Sequence, residues 1–203
     1  VYGNSLVAAL LTALLGTAAV YACALISARH NPYRKFGRLP DAIALITNTV
    51  PGMVLGVAYL MCFKGTVLHN SFAVIVLCNI VHFFSSPYLM MKGSLEKLNA
   101  SWETTARLMG DSWLETVVRI ITPNAVSTLL EAFQYFFVNA MVTVSAVIFL
   151  VSTRTMVITA KIKELQHFAS FNEIFVLSIL ILLTNLLVKG TVKILTAKAA
   201  KRG

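Results

Sequence analysis

The one long polar interval of the chain runs from residue 93 to residue 123 and reads GSLEKLNASWETTARLMGDSWLETVVRIITP. Both acidic and basic side chains occur along it, whereas apolar runs flank it on both sides. Charged side chains are costly inside a bilayer. The interval, called the polar segment from here on, is therefore predicted to lie outside the bilayer with a structure of its own.

The residue order within the polar segment predicts two short helices. Ser94 or Ser101 can cap the first helix. Gly110 can adopt the left-handed conformation that ends many helices, and Ser112 and Glu115 have the spacing of a capping box that starts the next. The apolar positions of the first helix recur every three or four residues, as one helical face requires: Leu95, Leu98, Trp102, Ala106 and Met109.

This arrangement resembles the coupling loop of ABC-transporter permeases of the binding-protein-dependent importer type. The family pattern is Glu-Ala-Ala, three residues, Gly, nine residues, Ile, one residue and Leu-Pro. Gly110, Ile120 and Pro123 are in register with this pattern. Pro123 can end the second helix or begin the next. The alternative is an amphipathic surface helix with a glycine turn and no such role.

The match departs from the family pattern at its start and near its end. Thr104, Thr105 and Ala106 occupy the Glu-Ala-Ala positions, and Thr122 replaces the Leu. The nearest carboxylate, Glu103, lies one residue early. In the family this loop docks into a groove on a separate ATPase subunit. The resemblance therefore implies that residues of this segment couple the chain to the ATPase: Glu103, Thr104, Thr105, Ala106, Gly110, Ile120 and Pro123. Which residue makes the polar contact stays open, because Thr occupies the position of the family's Glu.

The composition excludes an ordinary soluble domain. The 203 residues are 58% hydrophobic and 12% charged, with a mean hydropathy of +0.79. The net charge of +9 does not indicate nucleic-acid binding, because the bases lie at the ends of apolar runs, where they can contact membrane lipid. The three cysteines lie in apolar segments without metal-ligand spacing and are interpreted as small buried hydrophobes.

Five apolar stretches approach or exceed the roughly 20 residues that cross the hydrocarbon core as a helix. They are placed at about 5–28, 42–63, 71–91, 125–151 and 171–190. Because a backbone in the bilayer must satisfy its own hydrogen bonds, the predicted fold is all-α. The chain is thus expected to be a polytopic membrane protein whose residues 1–203 form one permease domain, with a cytoplasmic helix-turn-helix loop at about 93–123.

The distribution of bases sets the expected orientation. With the polar segment in the cytoplasm, the basic residues of 29–41 and of the C-terminal tail also lie inside, as the positive-inside rule requires. Five spans then place the N-terminus outside, so at least one further span is expected before Val1. Some permeases of this family carry two halves in one polypeptide, and a five-span C-terminal half resembles one of those. The resemblance also implies a second permease half or a homodimer.

Several polar or helix-breaking residues fall within the predicted spans. Pro51 lacks an N–H and is predicted to interrupt the second span. Intramembrane polar residues usually face the bundle interior, so packing contacts and a solute pathway are both possible roles. His82 is expected to be a hydrogen-bonded core residue rather than a metal ligand. The candidates for lining a pathway are Asn48, Pro51, Gly52, Asn79, His82, Gln134 and Asn139.

An amphipathic helix is predicted on the outer surface within residues 152–172. Apolar residues at 158, 162, 165 and 168 have helical spacing, while Lys161, Lys163 and Glu164 supply a polar face. In the family, an extracytoplasmic solute-binding protein docks on this side. A lipid-facing surface helix explains the pattern equally well.

No motif for catalysis or nucleotide binding accompanies these features. The Lys189-Gly190-Thr191 sequence lacks the preceding glycine of a P-loop, so ATP hydrolysis is expected on a partner chain, with no cofactor or metal on this one. The run TVSAVIFL at 143–150 resembles permeases of the phosphonate and ferric-iron group, with 2-aminoethylphosphonate expected first and ferric iron next. The rival hypothesis is a secondary transporter or channel fragment that is not coupled to ATP.

Overall fold

The computed structural model describes residues 1–29 and 37–200, and this part of the chain is helical without a strand. Residues 30–36, which belong to the inner basic stretch 29–41, and the last residues of the basic tail, 201–203, lie outside the described residues. The helices are α1 (Tyr2–Ala28), α2 (Arg38–Thr49), α3 (Gly52–Phe63), α4 (Phe72–His82), α5 (Ser85–Glu96), α6 (Ser101–Leu108), α7 (Trp113–Thr116), α8 (Thr122–Asn124), α9 (Val126–Val142), α10 (Ile158–His167) and α11 (Phe171–Ala200).

The membrane spans are of two kinds. Within the described ranges, α1 and α11 are each long and apolar enough to cross a bilayer alone, and the total reaches five if each bent pair of helices counts as one span. The bends are 109° between α2 and α3, 57° between α4 and α5, and 74° between residues 113–124 and α9. The all-α polytopic fold is confirmed, as is the break at Pro51, where Val50 is extended before the proline.

The main core lies where α1 packs against α5 and α9. The α1 face in this core consists largely of small residues, including the fully buried Ala9 and Ala13, so that the neighbouring backbones approach closely. Large side chains from the other helices fill the remaining space: Tyr88, Met91, Leu95, Phe136, Phe137 and Met141. The central helix of the bundle is therefore α1.

The predicted end of the fourth span is wrong. The fourth span was expected to continue to residue 151, but α9 ends at Val142 and only a short 3-10 turn, Val147–Phe149, follows. The apolar run 143–151 is buried against neighbouring segments instead of continuing the helix, and periodicity cannot distinguish these two outcomes. The helices also extend beyond two predicted span ends: α5 continues past 91 to Glu96, where Leu95 is fully buried in the core, and α11 continues past 190 to Ala200.

The outer segment contains the predicted helix, which is α10. Its apolar residues Ile158 and Leu165 are buried, whereas Phe168 lies beyond the helix end and is exposed. This helix packs against α11, and also contacts α1 and α9. The apolar face of α10 is thus covered by the chain itself.

Candidate functional site

The polar segment forms two helical pieces around a glycine turn, as its sequence predicts. Gly110 has a φ of +92° and follows Met109, the C-cap residue of α6. The Ser112 side chain accepts a hydrogen bond from the Glu115 N–H, and the Glu115 carboxylate accepts one from the Ser112 N–H at 2.8 Å. The bond from the Ser112 N–H stabilises the charged carboxylate and holds the pKa of Glu115 below its usual value.

The start of the first helix differs from the prediction. Neither serine caps it: α6 begins at Ser101 after Ala100, and the Asn99 Oδ1 accepts the Ser101 N–H at 2.9 Å. Residues 97–100 separate α5 from α6, so the predicted apolar face is divided between two helices. Met109, predicted to lie on the same face as the buried Ala106, is 80% exposed.

The second helical piece continues toward the membrane through a π-helical turn, Val117–Ile121. The Thr122 hydroxyl donates to the Val117 carbonyl at 2.9 Å and lies 2.7 Å from the Tyr21 hydroxyl of α1. Pro123 lies in the first turn of the short helix α8, where its missing N–H leaves no helical hydrogen bond unmade. This places Thr122, the departure from the family pattern, in contact with the central helix.

Glu103 points into the protein. Its carboxylate forms an ion pair with the Arg29 guanidinium, and both residues are 5% exposed. The Arg29 Nη1 also donates to the carbonyls of Leu95 and Leu98 at 2.9 and 2.8 Å. Sequence reasoning missed the role of Arg29, because nothing local distinguishes it from the other bases of 29–41.

The remaining predicted coupling residues lie on different faces. Thr104, Thr105, Gly110 and Pro123 are exposed, whereas Ala106 is buried and Ile120 is half-buried. The structure therefore gives α6 an inward face, with Glu103 and Ala106, and an outward face. No contact with a second protein tests their predicted role, which stays a prediction.

An exposed apolar surface lies on both sides of Gly110. Leu108 and Met109 precede the glycine and are 84% and 80% exposed, and Leu114 and Val118 follow it at 66% and 67%. These four residues are called the apolar tip. Exposed large apolar side chains in a segment that is predicted to lie outside the bilayer indicate a contact site for another protein. The signal in the sequence was the group of apolar residues next to the turn glycine.

The predicted pathway residues Gly52 and His82 lie close together at the break in the second span. A Cβ atom placed on Gly52 would lie 2.6 Å from the Ser145 Oγ and 3.0 Å from the His82 ring. One turn along α3, a Cβ on Gly56 would lie 2.3 Å from the Ala146 carbonyl oxygen. The two glycines therefore let α3 pack directly on the irregular segment after α9. Ser145 was not among the predicted pathway residues.

Asn79 lies on the same helix as His82 and is 1% exposed. Within the described part of the chain, its Oδ1 atom and the His82 Nδ1 atom have no hydrogen-bond partner. The prediction that His82 is a hydrogen-bonded core residue is therefore not met at this nitrogen. Both groups remain candidates for a polar solute path.

The other predicted pathway residues do not join this group. Asn48 is exposed, and the Asn139 Nδ2 donates to the Tyr135 carbonyl of its own helix at 2.8 Å. Gln134 lines a separate cavity of about 670 Å³ between α9 and α11, together with Glu131 and Lys189. The structure thus separates the predicted set into one group around Gly52 and several isolated residues.

Comparison with known proteins identifies the family. A family model described as a binding-protein-dependent transport system inner membrane component matches residues 20–201. The ferric transport system permease protein FbpB of Actinobacillus pleuropneumoniae is 30% identical over 158 residues, which are 77% of this chain and 22% of that protein. A putative ferric transport system permease protein of Haemophilus influenzae is 31% identical over 120 residues, 58% of this chain and 19% of that protein.

The chain spans about a fifth of the length of these curated relatives. The family match, by contrast, extends over most of the chain and includes the whole polar segment. Its description agrees with the apolar helices and bent pairs of the fold, which indicate a multi-pass membrane protein. This chain therefore belongs to the family of binding-protein-dependent transport system inner membrane components.

Proposed function

We propose that this chain forms permease helices of an ATP-driven importer and that the polar segment docks on a separate ATPase subunit. The observation that carries the proposal is the exposed apolar tip around Gly110, in a segment that contains a capping box and is hydrogen-bonded to α1 at Thr122. The family match supports the transport role. ATP hydrolysis would occur on the partner, so this chain is a transport subunit and not an enzyme.

The apolar tip suits a groove on a protein partner. Its side chains are exposed on both sides of the turn, and burying them would contribute roughly 25 cal/mol for each Å² removed from water. Thr104 and Thr105 on the outward face of α6 supply hydroxyl groups at the edge of this contact. The proposed partners also include an extracytoplasmic solute-binding protein and a second permease half.

We propose ferric iron as the transported solute, since both similar relatives are named as ferric transport permeases. The sequence analysis placed 2-aminoethylphosphonate first, and neither named relative supports that choice. The solute path is proposed to pass the break at Pro51, near Gly52 and His82, because freed backbone groups at membrane depth are tolerated only where they are buried or wetted.

The docking proposal is tested by Met109→Glu in the full-length permease expressed with its ATPase. A charge in the apolar tip should abolish copurification of the ATPase, because the carboxylate would be buried without a partner. Val67→Glu, at a fully exposed apolar residue between α3 and α4, is the matched control and should retain the ATPase. Retention by the Met109 variant would show that the apolar tip is not the contact.

The solute and the energy source are tested separately. Cells that express the transporter should accumulate radioactive ferric iron, and excess 2-aminoethylphosphonate should not compete. Uptake should stop when the ATPase is inactivated. Iron uptake that persists without the ATPase would favour the secondary transporter or channel, and competition by the phosphonate would restore the first substrate prediction.

A further inference from the structure

Arg29 joins three parts of the cytoplasmic end of the bundle. It directly follows the last residue of α1. Its guanidinium donates to the carbonyl of Leu95 in the last turn of α5, to the carbonyl of Leu98 in the connection, and to the Glu103 carboxylate of α6. One side chain therefore fixes the position of α6 relative to both α1 and α5.

The burial of this ion pair makes it a specific contact. The Arg29 side chain is 4% exposed and the Glu103 side chain 7%. A buried pair must offset the loss of hydration of both charges, and removal of one partner leaves the other charge uncompensated. The planar fork of arginine binds carboxylate and carbonyl oxygens together, and its charge is favourable at the C-terminal end of α5.

The other end of the polar segment is also attached to α1. The Tyr21 hydroxyl lies 2.7 Å from the Thr122 hydroxyl, two turns before Arg29 on the same helix. The central helix therefore holds the polar segment at Glu103 and at Thr122, on either side of the apolar tip. A displacement of the tip by a partner would move a body that is fastened to α1 at two points.

We propose that the Arg29–Glu103 pair is the joint through which movement of the polar segment reaches α1. Glu103 is then a positioning residue that acts through Arg29, and not the polar contact with the ATPase. This inference rests on the proposed function. Without the joint, α6 could follow the ATPase while α1 stayed behind, so ATP would be hydrolysed without transport.

The test is Glu103→Gln in the full-length transporter with its ATPase and binding protein, reconstituted in vesicles. The ATPase should copurify as with the unmodified protein, and hydrolysis should continue, while solute transported per ATP falls by about tenfold, within the usual range of coupling between sites. The matched control is Glu96→Gln, an exposed carboxylate of the same segment. It should change neither quantity.

The outcomes separate this inference from the proposed function. If Glu103→Gln loses the ATPase, the carboxylate is itself the contact and the joint is wrong. If the Glu103→Gln variant transports as much solute per ATP as the unmodified protein, the proposal that this pair transmits movement to α1 is also wrong. If the unmodified protein does not bind the ATPase at all, the proposed function fails instead.

A second variant covers the case in which a single substitution prevents folding. Replacement of both partners, Arg29→Met with Glu103→Met, leaves no buried charge unpaired and is expected to fold. It should bind the ATPase, hydrolyse ATP and transport poorly, because the bonds to Leu95, Leu98 and α6 are gone. Transport per ATP equal to that of the unmodified protein would overturn the proposal.

Discussion

Gly56 lies inside the bundle, where α3 packs on the segment after α9, whereas Gly110 lies at the turn of the polar segment. A Cβ at Gly56 would lie 2.3 Å from the Ala146 carbonyl oxygen, but a Cβ at Gly110 would meet no atom within 4 Å. Gly56 is required for space, and Gly110 for a φ of +92°. The interior is thus constrained by contacts between distant residues, while the polar segment depends on its local backbone conformation.

The largest effect is expected from Gly56→Ala. The added methyl would overlap a backbone oxygen that cannot move without displacing residues 143–147, so the cost should reach about 3 kcal/mol, the upper part of the range for overpacked cores. Titration with a denaturing detergent would measure the change in the free energy of unfolding.

Gly93→Ala is the matched control for that change. Gly93 lies in α5, and a methyl group added there would meet no atom within 4 Å, so alanine should leave stability unchanged or raise it by up to about 1 kcal/mol. Equal effects at the two positions would show that the contact between α3 and Ala146 does not constrain the interior.

A smaller effect is expected from Gly110→Ala. The site is open, so the only cost is the left-handed conformation, about 1–2 kcal/mol for a residue with a Cβ. Gly110→Asn should cost less, since asparagine adopts this conformation more readily. The measurements are the free energy of unfolding and ATPase copurification. If the alanine variant is as stable as the asparagine variant and retains as much ATPase, the turn does not need this conformation.

The smallest effect is expected from Ser112→Ala, which removes one half of the capping box at the start of α7. Loss of such a cap costs about 1 kcal/mol. Because the folded pKa of Glu115 is lowered, the stabilisation from the box is present above the unfolded pKa and is lost as pH falls through the folded pKa. Ser112→Ala keeps the backbone N–H that the carboxylate accepts, so its effect should largely persist in acid, whereas the difference between the unmodified protein and Glu115→Gln should shrink. A constant difference for Glu115→Gln would exclude the Glu115 half of the box.

The comparison of these regions also explains which sequence predictions succeeded. The glycine turn and the capping box of the polar segment were predictable, because each depends on residues within four positions of one another. The apolar run at 143–151 was predicted to continue the α-helix but contains only a short 3-10 turn, because its conformation depends on contacts with α3 and α10. The Thr159 hydroxyl, for example, donates to the Thr143 carbonyl at 2.7 Å where α9 ends.

The candidate site shows the same division. The sequence indicated that the stretch around Glu103 and Gly110 was functional, but it offered no means to predict which way Glu103 points. Its partner, Arg29, lies 74 positions away in the chain. Spacing rules describe one helix at a time, so a contact between the end of α1 and α6 has no local signal.

The sequence by itself determined the membrane class, the helical fold, the break at Pro51 and the two-part form of the polar segment. Apolar length and local hydrogen bonding decide these features without help from distant residues. Only the tertiary structure decided that Glu103 turns inward to Arg29, that α3 packs on Ala146 and that the apolar tip stays exposed. Those outcomes follow from which helices meet, and the packing of the whole bundle sets that.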